Sequence, residues 1–201
     1  MLENWMSRLN LMVAIFFTAV LTFSGSGNAA DFSADMVQTS SMGTMKSKAF
    51  FKGNNFRHEM IFQGRKQVTI FRKDKGVVWV LVPEQMMAME MPSGTKQNMA
   101  PVDPDELEKT GTNKSLGKET VNGYMCSKYL HTPKDPSLGT ATYWIAEKLN
   151  FPIKIVSDGP SGHMVMEYRN IDEKPVSDAL FEIPSGYQKM SMPMMPGRPG
   201  Q

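Results

Sequence analysis

The chain is short of nearly everything that marks an enzyme, a nucleic-acid binder or a disulfide scaffold. Its single cysteine, Cys126, excludes an intrachain disulfide, so the fold must be held by burial and sheet hydrogen bonds. Cys126 sits in a strand-like stretch between Tyr124-Met125 and Ser127-Lys128-Tyr129 and reads as a buried, inert thiol. The three histidines, His58, His131 and His163, are isolated on separate expected strands with no Asp/Ser or Cys arrangement visible nearby in sequence; convergence in space as a metal site is the alternative to a structural role. CxxC, HExxH and a Gly-rich phosphate loop are all missing, which leaves neither catalysis nor a cofactor a sequence basis. A formal net charge of +2 is too small to imply nucleic acid or an anionic surface. The apolar run Leu9 to Phe23 is shorter than the roughly 20 residues that a membrane-spanning helix needs.

What is present begins with a leader. Arg8 precedes an apolar run from Leu9 to Phe23 and then Ser-Gly-Ser-Gly-Asn-Ala-Ala, the pattern of a secretory signal over residues 1–30. Cleavage is expected after Ala29 or Ala30, giving a periplasmic, monomeric protein; the alternative is an uncleaved anchor. Beyond it the chain is a succession of short alternating segments separated by turn residues at close to the 8 to 12 residue spacing of all-β domains. The expected strands are Phe32–Gln38, Thr44–Phe51, Phe56–Phe62, Gln67–Arg72, Val77–Val82, Met86–Met91, Ser115–Thr120, Tyr124–His131, Thr140–Ala146, Pro152–Ser157 and His163–Asn170. Phe181–Ile183 reads as a short closing strand, and residues 189–201, rich in Met, Pro and Gly, as a disordered tail. The fold class is mainly β, with about ten or eleven antiparallel strands over residues 31–188; an open sheet so wide must curl.

One polar excursion, Pro92 to about Lys114, interrupts the rhythm. Asp103, Pro104 and Glu106 suit the N-cap, N1 and N3 of a short helix that Gly111 stops, with Leu107 its only large apolar residue. A helix this short must lie on something, so it reads either as a lid or as a solvated loop.

The hairpin Gly76–Met91 is the most apolar stretch beyond the leader. Trp79 and Leu81 share one face of its first strand, and Met87, Met89 and Met91 one face of its second; together they read as a face of thioether and indole, either core or pocket lining. Methionine is the compositional anomaly, 19 residues, with dense groups at Met86, Met87, Met89, Met91 and at Met190, Met192, Met194, Met195. Thioethers suit varied apolar ligands, and they are also soft ligands for Cu(I). An apolar groove is expected from Met60, Phe62, Trp79, Leu81, Met87, Met89, Met91, Trp144, Met164 and Met166. The tail methionines Met190, Met192, Met194 and Met195 are the alternative, metal-binding set.

Several of these stretches resemble the periplasmic lipoprotein-carrier superfamily of LolA and LolB. They are Lys75-Gly76-Val77-Val78-Trp79-Val80-Leu81-Val82-Pro83-Glu84, Lys52-Gly53-Asn54-Asn55-Phe56-Arg57-His58-Glu59 with its Arg-x-Glu, Phe151-Pro152-Ile153-Lys154-Ile155, Met166–Ile171 and the ending Leu180–Tyr187. Glu119–Cys126 resembles a pattern of exported members. Carriers of this type begin with an amphipathic helix, whereas here Phe32 follows the cleavage site almost directly. The resemblance implies a half-open antiparallel barrel whose concave apolar face receives acyl chains of a lipid or lipoprotein, with possible membrane or envelope-protein partners. The expectation is a non-enzymatic envelope binding protein. A copper-binding protein and a ligand-free interaction domain with a filled barrel remain as alternatives.

Overall fold

A computed structural model describes residues 31–93, 109–160 and 162–191. The expected leader, the helix start at Asp103 with Leu107, and Met192, Met194 and Met195 lie outside the described residues. The strands are β1 (Phe32–Ser40), β2 (Gly43–Lys52), β3 (Asn55–Phe62), β4 (Arg65–Arg72), β5 (Val77–Val82), β6 (Met87–Pro92), β7 (Gly111–Val121), β8 (Tyr124–Pro133), β9 (Thr140–Ala146), β10 (Phe151–Gly159), β11 (Gly162–Asp172) and β12 (Gln188–Ser191). They form one sheet of twelve in the order β12-β6-β5-β4-β3-β2-β1-β11-β10-β9-β8-β7, open between β12 and β7. Eleven strands zigzag antiparallel, and β12 joins β6 in parallel. This mainly β, unclosed sheet is the half-open barrel architecture expected from the sequence.

Local chemistry accounts for most of the zigzag. Gln63-Gly64 and Asn122-Gly123 take positive φ at both residues, the two-residue turn whose twist matches the flanking strands. Gly111 follows the helical Lys109 and Thr110 and opens β7 four residues before the expected start. A Cβ there would lie 2.2 Å from the Thr132 carbonyl oxygen, so the pairing with Pro133 admits no side chain.

The sequence reading is corrected in three places. Among the described residues twelve strands form rather than ten or eleven, because Gln188–Ser191, which reaches three residues into the expected tail, joins the sheet as β12. Phe181–Ile183 is no strand: Asp178–Phe181 is a 3-10 turn that buries Phe181 against the sheet. And the hairpin does not put indole beside thioether. The 3-10 turn Pro83–Gln85 and the left-handed Met86 set Val82 opposite Met87, so Trp79 faces Glu90, Leu81 faces Ala88, and Val80 faces Met89. Trp79 and Leu81 therefore occupy the opposite face from Met87, Met89 and Met91.

Which face is concave follows from the aromatics. Phe51 on β2 and Phe151 on β10 approach to 4.6 Å between ring centroids, although β1 and β11 stand between them. At about 4.8 Å per strand a flat sheet would hold them ~14 Å apart. The sheet curls toward the side that carries Phe32, Phe51, Phe56, Phe71 and Tyr168, all buried in one cluster. The convex side carries a second cluster, Val68, Ile70, Trp79, Leu81 and Ala88, covered by Val176 and Phe181 of the segment after β11.

Candidate functional site

That covering segment is a strap held by two guanidinium groups. Arg57 Nη1 donates to the Leu180 carbonyl at 2.7 Å while its Nε binds Glu59 at 2.7 Å. Arg72, buried, donates Nη1 to the Phe181 carbonyl at 2.9 Å and also pairs with Glu182; its Nε and Nη2 reach Asp74 at 2.8 and 2.6 Å. Arg72 and Lys75 stack on the Trp79 ring, whose Nε1 donates to Glu90 at 2.7 Å. Hydrogen bonding to Arg72 holds the Asp74 carboxyl below its ordinary range and does the same for Glu182. Trp79 and Leu81 are thus structural, sealed beneath their own chain. Trp144 belongs to the same face: Lys128 and Lys154 flank its ring and its Nε1 donates to Glu119.

The concave face grades from a closed floor to an open mouth. Phe32, Phe51, Phe56 and Phe71 pack the floor; Met36 and Met166 are buried in the middle; Gln38, Met45, Met164, Ser157 and Ala141, half-buried, line the other end. Of the groove residues expected from sequence, Met60, Met164 and Met166 fall in this region, on β3 and β11. Met87, Met89 and Met91 share the face but lie at the far edge on β6. Phe62 ends β3 and its side chain is outside the described residues. Met36, Met45, Gln38 and Ser47 belong to the region and were not in the expected set; the alternation Phe32, Ala34, Met36, Gln38 is the signal that marks the inner positions of β1.

The mouth has a breach. Pairing of β2 with β3 stops at Ser47 opposite Met60, while the β1–β2 and β3–β4 hairpins continue to their tips. The two tips part, and between them opens a cleft of about 540 Å³. Met60 and Ser47 line it from the concave face; Val37 and Ile61 line it from the convex face, where Lys46, Lys48, Lys66 and Arg169 outnumber Asp35 and Glu59. Lys48 is engaged by Asp35 at 2.9 Å and Lys66 by Glu59 at 2.8 Å, which concentrates the unbalanced charge toward Lys46. Arg169 also pairs with Glu167. Beside Ser47, His58 Nε2 lies 2.8 Å from the Ser47 hydroxyl, and burial pushes its pKa down to about 4, so the ring is neutral at physiological pH. Among the described residues no group of three His, Cys, Asp or Glu side chains is placed to hold a metal. Cys126 is buried with its thiol pKa raised by desolvation, an unreactive setting.

A protein-family model described as "Domain of unknown function (DUF4412)" matches residues 33–150 and 142–187. No curated protein matches the chain. Among solved structures, an uncharacterized conserved protein from Thermus thermophilus is similar with a TM-score of 0.59 at 11% identity, over 82% of this chain and 91% of that one. The MucA/MucB complex of Pseudomonas aeruginosa matches with a TM-score of 0.56 at 11% identity, covering 82% of this chain and 59% of the other. A LolA superfamily protein from Nitrosomonas europaea matches with a TM-score of 0.38 at 12% identity, over 78% of this chain and 91% of that one. The first two share the fold.

Proposed function

The chain belongs to the DUF4412 family, and from the cleft between the parted hairpins we propose a non-enzymatic binding protein of the cell envelope that holds the acyl chain of an anionic amphiphile. The carrying observation is the cleft's two-sided chemistry: Met60 reaches it from the concave face, and Val37, Ile61 and a rim in which basic side chains predominate line it from the convex face. Met60 in the cleft, with Met45 and Met164 half-buried on the concave face, suits an acyl chain of variable shape because thioethers repack at low cost. A lipid or a lipoprotein supplies that chemistry equally. The mature protein is exported by residues 1–30, acts as a monomer and uses no cofactor. That MucB, a structural relative, was solved in complex with MucA supports a protein partner for this chain as well.

The test is native mass spectrometry of protein purified without detergent, followed by uptake of a fluorescent fatty acid. Co-purified lipid, and uptake lost in Met60→Glu, is the expected result. Empty protein that takes up no fatty acid sinks the reading, and uptake unchanged by Met60→Glu removes the cleft from it.

A further inference from the structure

The strand that sequence reading missed brings together two parts of the chain about a hundred residues apart. β12 runs level with β6: Gln188 opposite Met87, Lys189 opposite Ala88, Met190 opposite Met89, Ser191 opposite Glu90. Gln188 N donates to the Met86 carbonyl at 2.7 Å, and Lys189 Nζ lies 2.5 Å from Glu90 Oε2. Glu90 shares the convex face with Trp79, so Lys189 does too, and Met190 falls on the concave face with Met87, Met89 and Met91. The inward positions of this two-strand edge are therefore four methionines and Gln188.

Packing alone does not account for this set. Met89 is buried at 5% exposure and would serve as core, but Met190 is 41% exposed at the sheet's edge, with Met87 and Met91 half-buried beside it. Edge strands are ordinarily finished with charge or β-branched side chains, and methionine has no particular claim on a strand. Same-face residues on one strand stand ~6.6 Å apart and neighbours across a pair ~4.8 Å. Met89, Met190 and either Met87 or Met91 thus make a small triangle, and three rotatable bonds per side chain let the sulfurs converge.

The donor set is neutral sulfur with one amide, and the adjacent carboxylate, Glu90, points to the other face. Such a set compensates little charge and is soft, which selects a monovalent soft cation over Zn²⁺ or a hard divalent ion. We propose that the β6–β12 edge is a Cu(I) site, with the thioethers of Met89 and Met190 as ligands and Met87 or Met91 as the third. It lies three strands from Met60 and is independent of the acyl-binding reading. The sequence continues with Met192, Met194 and Met195, whose contribution the experiment separates.

The experiment is anaerobic Cu(I) titration of the full mature chain against a chromogenic Cu(I) chelator, with X-ray absorption at the copper edge. One tightly held Cu(I) per chain in a sulfur-dominated shell is expected. Met190→Leu, near in volume and at an exposed edge, should weaken retention at least tenfold; Met89→Leu should do the same. Changing Met192, Met194 and Met195 together to Leu should leave most of the affinity, and Met42→Leu with Met125→Leu, both remote and exposed, should leave all of it. No retained copper, a nitrogen and oxygen shell, or binding that survives Met190→Leu but is lost in the Met192/Met194/Met195 variant would overturn the site.

Discussion

Replacing Arg72 with Ala is the sharpest test of how the convex face is held. The side chain is buried and gives the Phe181 carbonyl a hydrogen bond with no water to replace it, a loss of ~1–3 kcal/mol when an acceptor is left unpaired. Its partners Asp74 and Glu182 are half-exposed and regain water, so each ion pair contributes no more than ~1 kcal/mol. Stacking on Trp79 adds ~0.5–1 kcal/mol. The expected destabilisation is about 3 kcal/mol in urea unfolding, with Arg72→Lys recovering little because an ammonium cannot serve three acceptors in a plane. The loss should be local as well as global: amide exchange at Gln188, whose N–H reaches Met86, should accelerate more than exchange in β1 or β11. A change below about 0.5 kcal/mol with Gln188 still protected would refute the strap.

Other consequences follow from the same geometry. His58 has a folded pKa near 4 against an ordinary 6.5, so the unfolded chain binds the proton first as pH falls; stability is full above pH 6.5 and declines by about 3 kcal/mol toward pH 4. Equilibrium unfolding of His58→Gln across that range should show a flatter profile, and an unchanged slope would dissociate the effect from His58. Asp74 and Glu182, depressed chiefly by Arg72, contribute stability above their unfolded values that is lost as pH falls below about 4; Arg72→Ala should remove that acid limb. Phe51→Ala, in the aromatic floor beside Phe32 and Phe151, should cost ~3–5 kcal/mol by thermal or urea unfolding. Gly111→Ala forces a Cβ onto the Thr132 carbonyl and should break β7–β8 pairing, read as lost amide protection in Thr112 and Asn113.

Much of the sheet was open to reading because its determinants are local. Phe56, His58 and Met60 alternate with Arg57, Glu59 and Ile61, and the structure keeps both sets on opposite faces of β3. Asn122-Gly123 and Gly64 mark turns by their tolerance of positive φ. What escaped is the relation between strands. Alternation sorts Trp79 from Val80 and Met87 from Ala88, but which set meets which depends on the turn, and Pro83–Gln85 with left-handed Met86 paired Trp79 with Glu90. β12 carries no strand pattern of its own, being four residues of which Gln188 and Lys189 are polar; its conformation comes from the edge of β6. Of the anchoring arginines only Arg57 was visible, as half of an Arg-x-Glu pattern, since the acceptors of Arg57 and Arg72, the Leu180 and Phe181 carbonyls, lie more than a hundred residues away.

By itself, then, the sequence determined the class of the fold: one β-rich unit without an intrachain disulfide and with two methionine groups. Short-range rules suffice for that, because alternation, turn residues and composition act over a few positions. Tertiary structure decided the rest. Curl made the phenylalanine side the interior, the parting of two hairpins at Ser47 and Met60 opened a cleft, and the parallel docking of β12 set Met190 beside Met89. Each of these is a contact between segments distant in the chain, and its geometry is set by the twist and register of the whole sheet, which no window of sequence contains.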